Sequence, residues 1–318
     1  MSINIEKLRK GSRRDLAKAI TLVESKRDID RERSQQLLES ILPYAGKSIR
    51  LGITGVPGVG KSTFIESFGL HLISLGKRVA VLAVDPSSPI AGGSILGDKT
   101  RMELLSRQDE AFIRPSPSEG ALGGVANKTR ETMMLCEAAG YDVIIVETVG
   151  VGQSEYEVAS MVDCFLVLMM PNAGDELQGI KKGILELADA LVINKCDGES
   201  INLAKKSRSQ YQSAINLLHY TSAWTPRVMT CSAAENTGID AVWGMVMDFY
   251  FMAKEQNSFN KKRSQQNRQW LKRLLHEMLD LKLKQHPKIQ HEYPQLEAHV
   301  VTGKTTAYHA AKQIMDLF

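Results

Sequence analysis

Short apolar runs alternate with longer stretches of helical spacing through the middle of the chain. The apolar runs are predicted strands, at residues 49–54, 79–84, 143–147, 165–170, 191–194 and 228–231. Apolar residues recur every three or four positions in the predicted helices, at 62–75, 128–139, 180–188 and 239–251. Because strands that are apolar throughout are buried on both faces, this alternation predicts an α/β fold with a mainly parallel central sheet between two layers of helices.

The chain on either side of this pattern is predicted to be helical. Before it, Ser12 and Asp15 resemble a helix-capping pair. Two apolar stripes at helical spacing follow, formed by Leu16, Ala19, Ile20 and Val23 and then by Leu37, Leu38, Ile41 and Leu42. We therefore expect an N-terminal helical extension at 1–47, a central domain at 48–253 and a C-terminal helical region at 254–318.

The C-terminal region is basic and carries an apolar stripe. The stripe occupies 268–281, and 305–318 has the spacing of a further amphipathic helix. His286-Pro287 and Tyr293-Pro294 are expected to interrupt the helical pattern. This region is interpreted as a helical appendage that closes one end of the sheet or forms a dimer contact.

Composition limits the partners that the chain is expected to have. The formal net charge is only +4 and aromatic residues make up 6%, which does not indicate a nucleic-acid-binding surface. No apolar stretch approaches the ~20 residues of a membrane-spanning helix, and the first residues lack the apolar core of a signal peptide. The four cysteines are dispersed and fit a reducing compartment, so we expect a soluble cytoplasmic protein with no nucleic-acid or membrane partner.

A phosphate-binding motif follows the first predicted strand. The sequence GVPGVGKS satisfies GxxxxGK[ST] and opens a predicted helix, which is the context that this motif requires. Lys61 is expected to reach the β- and γ-phosphates, and the Ser62 hydroxyl is expected to coordinate Mg²⁺. The predicted nucleotide-binding residues here are Gly55, Pro57, Gly58, Val59, Gly60, Lys61, Ser62 and Thr63. The motif narrows the fold to the P-loop NTPase type.

A second motif selects the base. Asn194, Lys195 and Asp197 form NKxD after a predicted strand, and a carboxylate at Asp197 can accept hydrogen bonds from N1–H and N2–H₂ of guanine. Adenine lacks these donors, so ATP would leave the carboxylate unpaired. Lys195 could lie along the base or brace the phosphate loop. Ser232 and Ala233 follow the next predicted strand, where a backbone N–H could meet guanine O6.

Acidic residues follow the other strands on the same side of the sheet. Phosphate-bound Mg²⁺ requires hard oxygen ligands, or acceptors for its waters. Asp85 and Glu147 come directly after or at the end of predicted strands, and Asp98 lies in a loop. Together with Ser62, these residues form the predicted metal-binding set.

Four longer runs make the pattern specific to a family. The runs are VDPSSPIAGGSILGDKTRM, ETVGVGQSE, GDELQGIKKGI and NKCD. They resemble the MeaB/ArgK family of P-loop GTPases, which includes the methylmalonic aciduria type A protein. The resemblance covers about 49–253 and is weakest in the C-terminal region.

The resemblance implies a function that the motifs alone do not. It implies a GTPase chaperone that gates cobalamin delivery to an adenosylcobalamin-dependent acyl-CoA mutase, chiefly methylmalonyl-CoA mutase, and protects that enzyme. It further implies that Asp85, Asp98 and Glu147 belong to a Mg²⁺ and switch network. The loop that ends at Lys181 resembles a switch that senses the nucleotide, with Lys181 expected on the nucleotide side. Family members are homodimers through C-terminal helices, which suits the third region.

The expected reaction is hydrolysis of GTP to GDP and phosphate, by positioning and electrostatics. The catalytic candidates are Lys61, Glu147 and Gln153. In Ras-like GTPases a glutamine next to the conserved glycine orients water, but Val151 stands at that place here, with Gln153 two positions further on. Because valine cannot align water, slow intrinsic hydrolysis that a partner accelerates is expected.

Two alternatives remain at this point. One is a metallochaperone GTPase that inserts nickel or zinc, although such sites need clustered Cys and His, which are dispersed here. The other is a kinase that phosphorylates an amino-acid transport protein, which the guanine-selective motif does not favour.

Overall fold

The computed structural model describes residues 3–25, 27–84, 102–115, 124–148, 154–171, 182–218 and 224–318. Its contacts divide the chain into two compact units, Met1–Ser264 and Gln265–Phe318. Within the described residues, no helix has both the length and the apolar character needed to cross a membrane.

The first unit contains a seven-stranded sheet in which every neighbouring pair is parallel. The strands are β1 (Ile49–Gly55), β2 (Val79–Val84), β3 (Ala111–Arg114), β4 (Val143–Thr148), β5 (Cys164–Met169), β6 (Ala190–Ile193) and β7 (Arg227–Thr230). Their order across the sheet is β3-β2-β4-β1-β5-β6-β7. The predicted parallel α/β fold is confirmed, and β1 lies at the centre.

One strand was not predicted. β3 has four residues and lies at the edge of the sheet, and only its first two residues are buried. Because an edge strand needs apolar cover along less of its length, its sequence AFIR does not stand out from the surrounding polar chain.

Helices connect and cover the strands. They are α1 (Ile5–Arg9), α2 (Arg13–Val23), α3 (Asp28–Ile41), α4 (Lys61–Ser74), α5 (Glu103–Ser106), α6 (Gly124–Ala138), α7 (Ser154–Ala159), α8 (Lys182–Leu187), α9 (Ile201–Leu218), α10 (Ile239–Glu255), α11 (Ser258–Gln285), α12 (Pro287–Val301) and α13 (Ala307–Asp316). Short 3₁₀ turns occur at Leu42–Tyr44 and Gly198–Ser200.

The N-terminal helices pack against the sheet domain. Ser12 caps α2: its hydroxyl accepts the Asp15 N–H at 3.3 Å and donates to the Asp15 carboxylate at 2.7 Å. The first predicted stripe is buried on α2, and α3 buries Leu37, Leu38 and Ile41. Leu42 is an exception, with 58% exposure, because the helix ends at Ile41 and Leu42 begins the 3₁₀ turn.

Two hydrophobic clusters cover the two faces of the sheet. Alternate residues of a strand belong to different clusters: Ile144 and Val146 of β4 face one, and Val143 and Ile145 face the other. The first cluster includes α2, α3 and α6, and the second includes α4 and α10. The sheet is therefore the middle of three layers, and its carboxyl edge is left for the connecting loops.

The second unit is helical, but one expected interruption is wrong. Pro287 does begin a new helix, at its first turn. Pro294 instead lies inside that helix, Pro287–Val301. A proline there removes the bond to the carbonyl of Gln290, and Gln290 is exposed, so water can satisfy that carbonyl.

Candidate functional site

The phosphate loop joins β1 to α4 at the carboxyl edge of the sheet. Gly58 and Gly60 have φ angles of +80° and +86°, which let the chain turn tightly before the helix begins at Lys61. The Lys61 ammonium donates to the carbonyl of Gly55 at 2.8 Å. The Lys61 side chain therefore folds back across the phosphate loop to its first residue, and the N-terminus of α4 points into the same loop.

The Asn194 side chain of the NKxD motif is hydrogen-bonded to the phosphate loop. Its amide nitrogen donates to the carbonyl of Val59 at 2.9 Å, and its oxygen accepts the Ala233 N–H at 3.0 Å. The Cys231 thiol contacts the same oxygen at 3.5 Å. Asn194 is buried, so these partners replace water for its polar atoms. Three loops, after β1, β6 and β7, are thus joined through one side chain.

Close packing explains the glycine at position 60. A β-carbon at Gly60 would lie 3.0 Å from the Asn194 amide nitrogen and 4.0 Å from Cε of Lys195. The Lys195 side chain therefore runs alongside the phosphate loop, as expected if it braces that loop. Lys195 itself has a left-handed backbone, with φ of +58°.

Asp197 is oriented by a neighbour from the next loop. The Ser232 hydroxyl donates to the Asp197 carboxylate and accepts the Glu235 N–H, the latter at 3.2 Å. Ser232 also forms an antiparallel bridge with Thr237. The carboxylate is half-exposed in its loop and so can meet a guanine edge.

Glu147 lies at the end of β4, beside the centre of the sheet. It is 6% exposed and aligns with Ile53 of β1 and Ala83 of β2. The next residue, Thr148, donates its hydroxyl to that of Thr54 at 2.7 Å, and both are buried. The end of β4 is thereby held against the end of β1, one residue before the phosphate loop motif.

Four predicted residues lie outside the described part of the chain. They are Asp85, Asp98, Gln153 and Lys181. Those that the structure does describe come together at one edge of the sheet, from Gly55 to Thr63, at Glu147, from Asn194 to Asp197, and at Ser232 and Ala233.

Several residues that support this edge were not predicted. Thr54 and Thr148 are polar residues near the carboxyl ends of largely apolar strands, and that departure from the pattern is the signal that could have found them. Ser67 of α4 donates to the side chain of Asn236 at 2.6 Å, a contact with no sequence signal because the two residues are far apart in the chain.

The cysteines are all free, and burial sets the chemistry of three of them. Burial raises the pKa of the Cys136, Cys164 and Cys231 thiols, that of Cys231 to about 12, with the nearby Cys196 as a further cause for Cys231. These three thiols are therefore uncharged near neutral pH and are poor metal ligands. Among the described residues, no cluster of three His, Cys, Asp or Glu side chains could hold a metal ion.

The comparison with known families agrees with this geometry. The model of the family described as "Methylmalonyl Co-A mutase-associated GTPase MeaB" matches residues 16–288. The chain belongs to the MeaB family. It is a P-loop GTPase, which agrees with the phosphate-loop sequence after β1 and the NKCD sequence after β6.

Similar proteins occur in bacteria and animals. The chain is 55% identical over 271 residues to GTPase ArgK of Escherichia coli (strain K12), which covers 85% of this chain and 82% of that protein. It is 46% identical over 320 residues to the mitochondrial methylmalonic aciduria type A homolog of Mus musculus, with 97% and 77% covered. The crystal structure of a protein called LAO/AO transport system kinase has a TM-score of 0.78 at 43% identity, over 98% and 95% of the two chains.

Proposed function

We propose that this MeaB-family GTPase is a chaperone of an adenosylcobalamin-dependent methylmalonyl-CoA mutase. In this proposal GTP binding and hydrolysis gate cobalamin delivery to the mutase and protect it from inactivation. The observation that carries the proposal is that Asn194 of the NKxD motif is hydrogen-bonded to the phosphate loop and to Ala233, in a chain whose family is named for its association with that mutase.

The proposed binding roles follow the geometry of the loops. Backbone N–H groups from Gly58 to Thr63 and the Lys61 ammonium surround the phosphates, once Lys61 exchanges the Gly55 carbonyl for a phosphate oxygen. Asp197, oriented by Ser232, accepts the guanine donors, and the Ala233 loop provides the N–H for O6. Pro57 and Val59 shape the phosphate loop, and the Val59 side chain is buried.

The described residues also fit Mg²⁺, which would neutralise charge on the β- and γ-phosphates. The Ser62 hydroxyl at the start of α4 and the Glu147 carboxylate at the end of β4 are hard oxygen donors at the same edge of the sheet. Asp85 and Asp98 complete the proposed set from sequence. Gln153 is proposed to order the attacking water, and Lys181 to sense the nucleotide.

The partner surfaces are proposed from the C-terminal region and from composition. Leu271, Leu275 and Met278 form an apolar stripe on α11 and are each more than half exposed. This stripe is proposed to be buried when two copies of the chain form a homodimer. Four free thiols suit the reducing cytoplasm, which is the proposed location.

The client can be tested by nucleotide-dependent capture. Protein loaded with a non-hydrolysable GTP analogue is expected to retain a cobalamin-dependent mutase from a lysate, and GDP-loaded protein to retain less of it. Asp197→Ala, which cannot read guanine, is the matched control and should capture none. Recovery of only a nickel enzyme would overturn the proposal.

The reaction can be tested with γ-labelled GTP and ATP. Label released as phosphate from GTP, slowly without the mutase and faster with it, is expected. A turnover above ~1 s⁻¹ for the isolated protein, well beyond the intrinsic rates of partner-activated GTPases, would contradict the predicted need for a partner. Transfer of label from ATP to a protein would support a kinase instead.

A further inference from the structure

The loop between β7 and α10, residues 231–238, is closed on itself and is called the base loop below. Ser232 and Thr237 exchange two backbone hydrogen bonds of 3.0 Å each, and the Ser232 hydroxyl accepts the Glu235 N–H at 3.2 Å. Asn236 has a left-handed backbone, with φ of +54°, which asparagine adopts more readily than most residues. Because the base loop is bonded internally, we expect it to move as one unit.

The base loop contacts the NKxD motif at two points. The Ser232 hydroxyl donates to the Asp197 carboxylate, and the Ala233 N–H donates to the Asn194 oxygen at 3.0 Å. In the proposed function, Asp197 accepts the N1–H and N2–H₂ donors of guanine, and the base loop provides the N–H for O6. The placement of the base loop therefore decides whether its N–H meets O6.

A further hydrogen bond joins the base loop to α4, the helix that follows the phosphate loop. The Ser67 hydroxyl donates to Oδ1 of Asn236 at 2.6 Å. Ser67 is buried, so water cannot readily replace Asn236 as its partner. Since α4 begins at Lys61, this bond links the base loop to the helix whose N-terminus is proposed to hold the phosphates.

An aromatic contact beside this bond holds α10 against α4. Phe68, the neighbour of Ser67 in the chain, packs edge-on against Trp243 of α10, with ring centroids 6.0 Å apart. Both rings belong to the same hydrophobic cluster. Hydrophobic packing is non-directional, whereas a hydrogen bond fixes the distance and direction between two atoms. The ring contact therefore holds the two helices together, and the Ser67 bond fixes where the base loop lies along α4.

We propose that Ser67 is a positioning residue for guanine selectivity. The phosphates are held at the start of α4 and the base is met by the base loop, so the bond from Ser67 to Asn236 sets the placement of one subsite relative to the other. Without this bond the phosphate loop still binds a nucleoside diphosphate, but the base loop no longer meets O6 in a fixed position. The inference rests on the proposed guanine-binding roles of the base loop and Asp197.

The experiment compares the Kd of three nucleoside diphosphates for the unaltered chain and for Ser67→Ala, by calorimetry. GDP and IDP both carry O6, and IDP lacks only the 2-amino group that Asp197 is proposed to read. The diphosphate of 2-aminopurine riboside keeps that amino group but lacks O6 and the N1 hydrogen. Ser67→Ala is expected to raise the Kd for GDP and for IDP about 3- to 10-fold, the factor for one hydrogen bond, and that for the 2-aminopurine compound less than about 2-fold.

Two further variants complete the design. Ser74→Ala makes the same change at the end of α4, where the exposed hydroxyl bonds to the carbonyl of His71 in its own helix, and it should leave all three Kd values unchanged. Asn236→Gly removes the acceptor but suits the left-handed backbone, so it should reproduce the Ser67→Ala pattern even if Ser67→Ala folds poorly. The double variant should lose no more affinity than either single variant.

Two results would overturn the inference. Equal losses for all three nucleotides would show that Ser67 supports the domain in general, and an unchanged Kd for GDP in folded Ser67→Ala and Asn236→Gly would show that the base loop needs no such bond. Failure of the proposed function is a separate result, because it is seen without any variant: the unaltered chain would then bind GDP no more tightly than ADP.

Discussion

Single polar side chains join the loops of the nucleotide site. Asn194 bonds to Val59 and to Ala233, and Ser232 bonds to Asp197. These side chains are short, so each can form its hydrogen bonds only because the ends of the parallel strands bring its partners close. The proposed selectivity of the site for guanine therefore depends on the orientation of these side chains as much as on their residue types.

At this scale we predict that Ser232→Ala weakens guanine-nucleotide binding. The change removes the donor that orients Asp197 and the acceptor for the Glu235 N–H. Loss of about 1–1.5 kcal/mol, roughly a 5- to 10-fold rise in the Kd for GDP, is expected and can be measured by calorimetry. Ser209→Ala, on an exposed face of α9, is the control. Equal affinity in both variants would show that Asp197 needs no such support.

At the scale of elements, the start of α4 is decided by backbone conformation. Gly60 and Gly76 lie before and after this helix, and both have left-handed backbones, with φ of +86° and +74°. They differ in their surroundings: a β-carbon at Gly60 would lie 3.0 Å from the Asn194 amide nitrogen, whereas at Gly76 no described residue other than its chain neighbours would lie within 4 Å of one. Alanine at Gly76 would add only backbone strain, whereas alanine at Gly60 would add the same strain and also displace Asn194. Comparing the two variants therefore separates the two effects.

We predict that Gly60→Ala and Gly76→Ala each lower the free energy of unfolding by about 1–2 kcal/mol, the strain of a left-handed alanine. Only Gly60→Ala should also weaken GDP binding, by about 10-fold or more, because the displaced Asn194 amide no longer holds the loop. Thermal unfolding and calorimetry on the two proteins check this. Normal affinity in Gly60→Ala would show that the phosphate loop tolerates a shift of Asn194.

At the scale of the whole first unit, a buried ion network ties chain segments together at the opposite edge of the sheet. Arg263 of α11 makes two bonds of 2.7 and 2.6 Å to Asp163, which precedes β5. Arg50 of β1 makes two bonds of 2.9 Å to Glu137 of α6, and its N–H donates to Asp163 at 2.8 Å. The first turns of α11 are thereby joined to the middle of the sheet, away from the nucleotide site.

We predict that Arg263→Ala destabilises the protein by about 3–5 kcal/mol, because it leaves the Asp163 carboxylate buried without its cation. For a protein of this size the melting temperature should fall by roughly 10 °C. Arg107→Ala breaks an exposed pair with Glu103 and should cost less than about 1 kcal/mol. GDP affinity below the melting transition should be normal in both, and a similar Tm for the two variants would contradict the prediction.

The sequence by itself determined the features that depend on neighbouring residues. Apolar runs located six of the seven strands to within one or two residues, since a buried parallel strand must be apolar on both faces. The phosphate loop and NKCD were identified because their chemistry needs contiguous residues. The Ser12 cap and the burial of α2 followed from helical spacing in the same way.

Only the tertiary structure decided how distant segments meet. Asn194 and Val59 are 135 positions apart, and their bond exists because β1, β5 and β6 are neighbours in the sheet, an order that no local pattern encodes. The same holds for Glu66 with Leu104 and for Arg263 with Asp163. Such contacts depend on strand order and helix packing. Residue types and motifs therefore predict which residues could belong to a site, but only the tertiary structure determines which of them lie in contact.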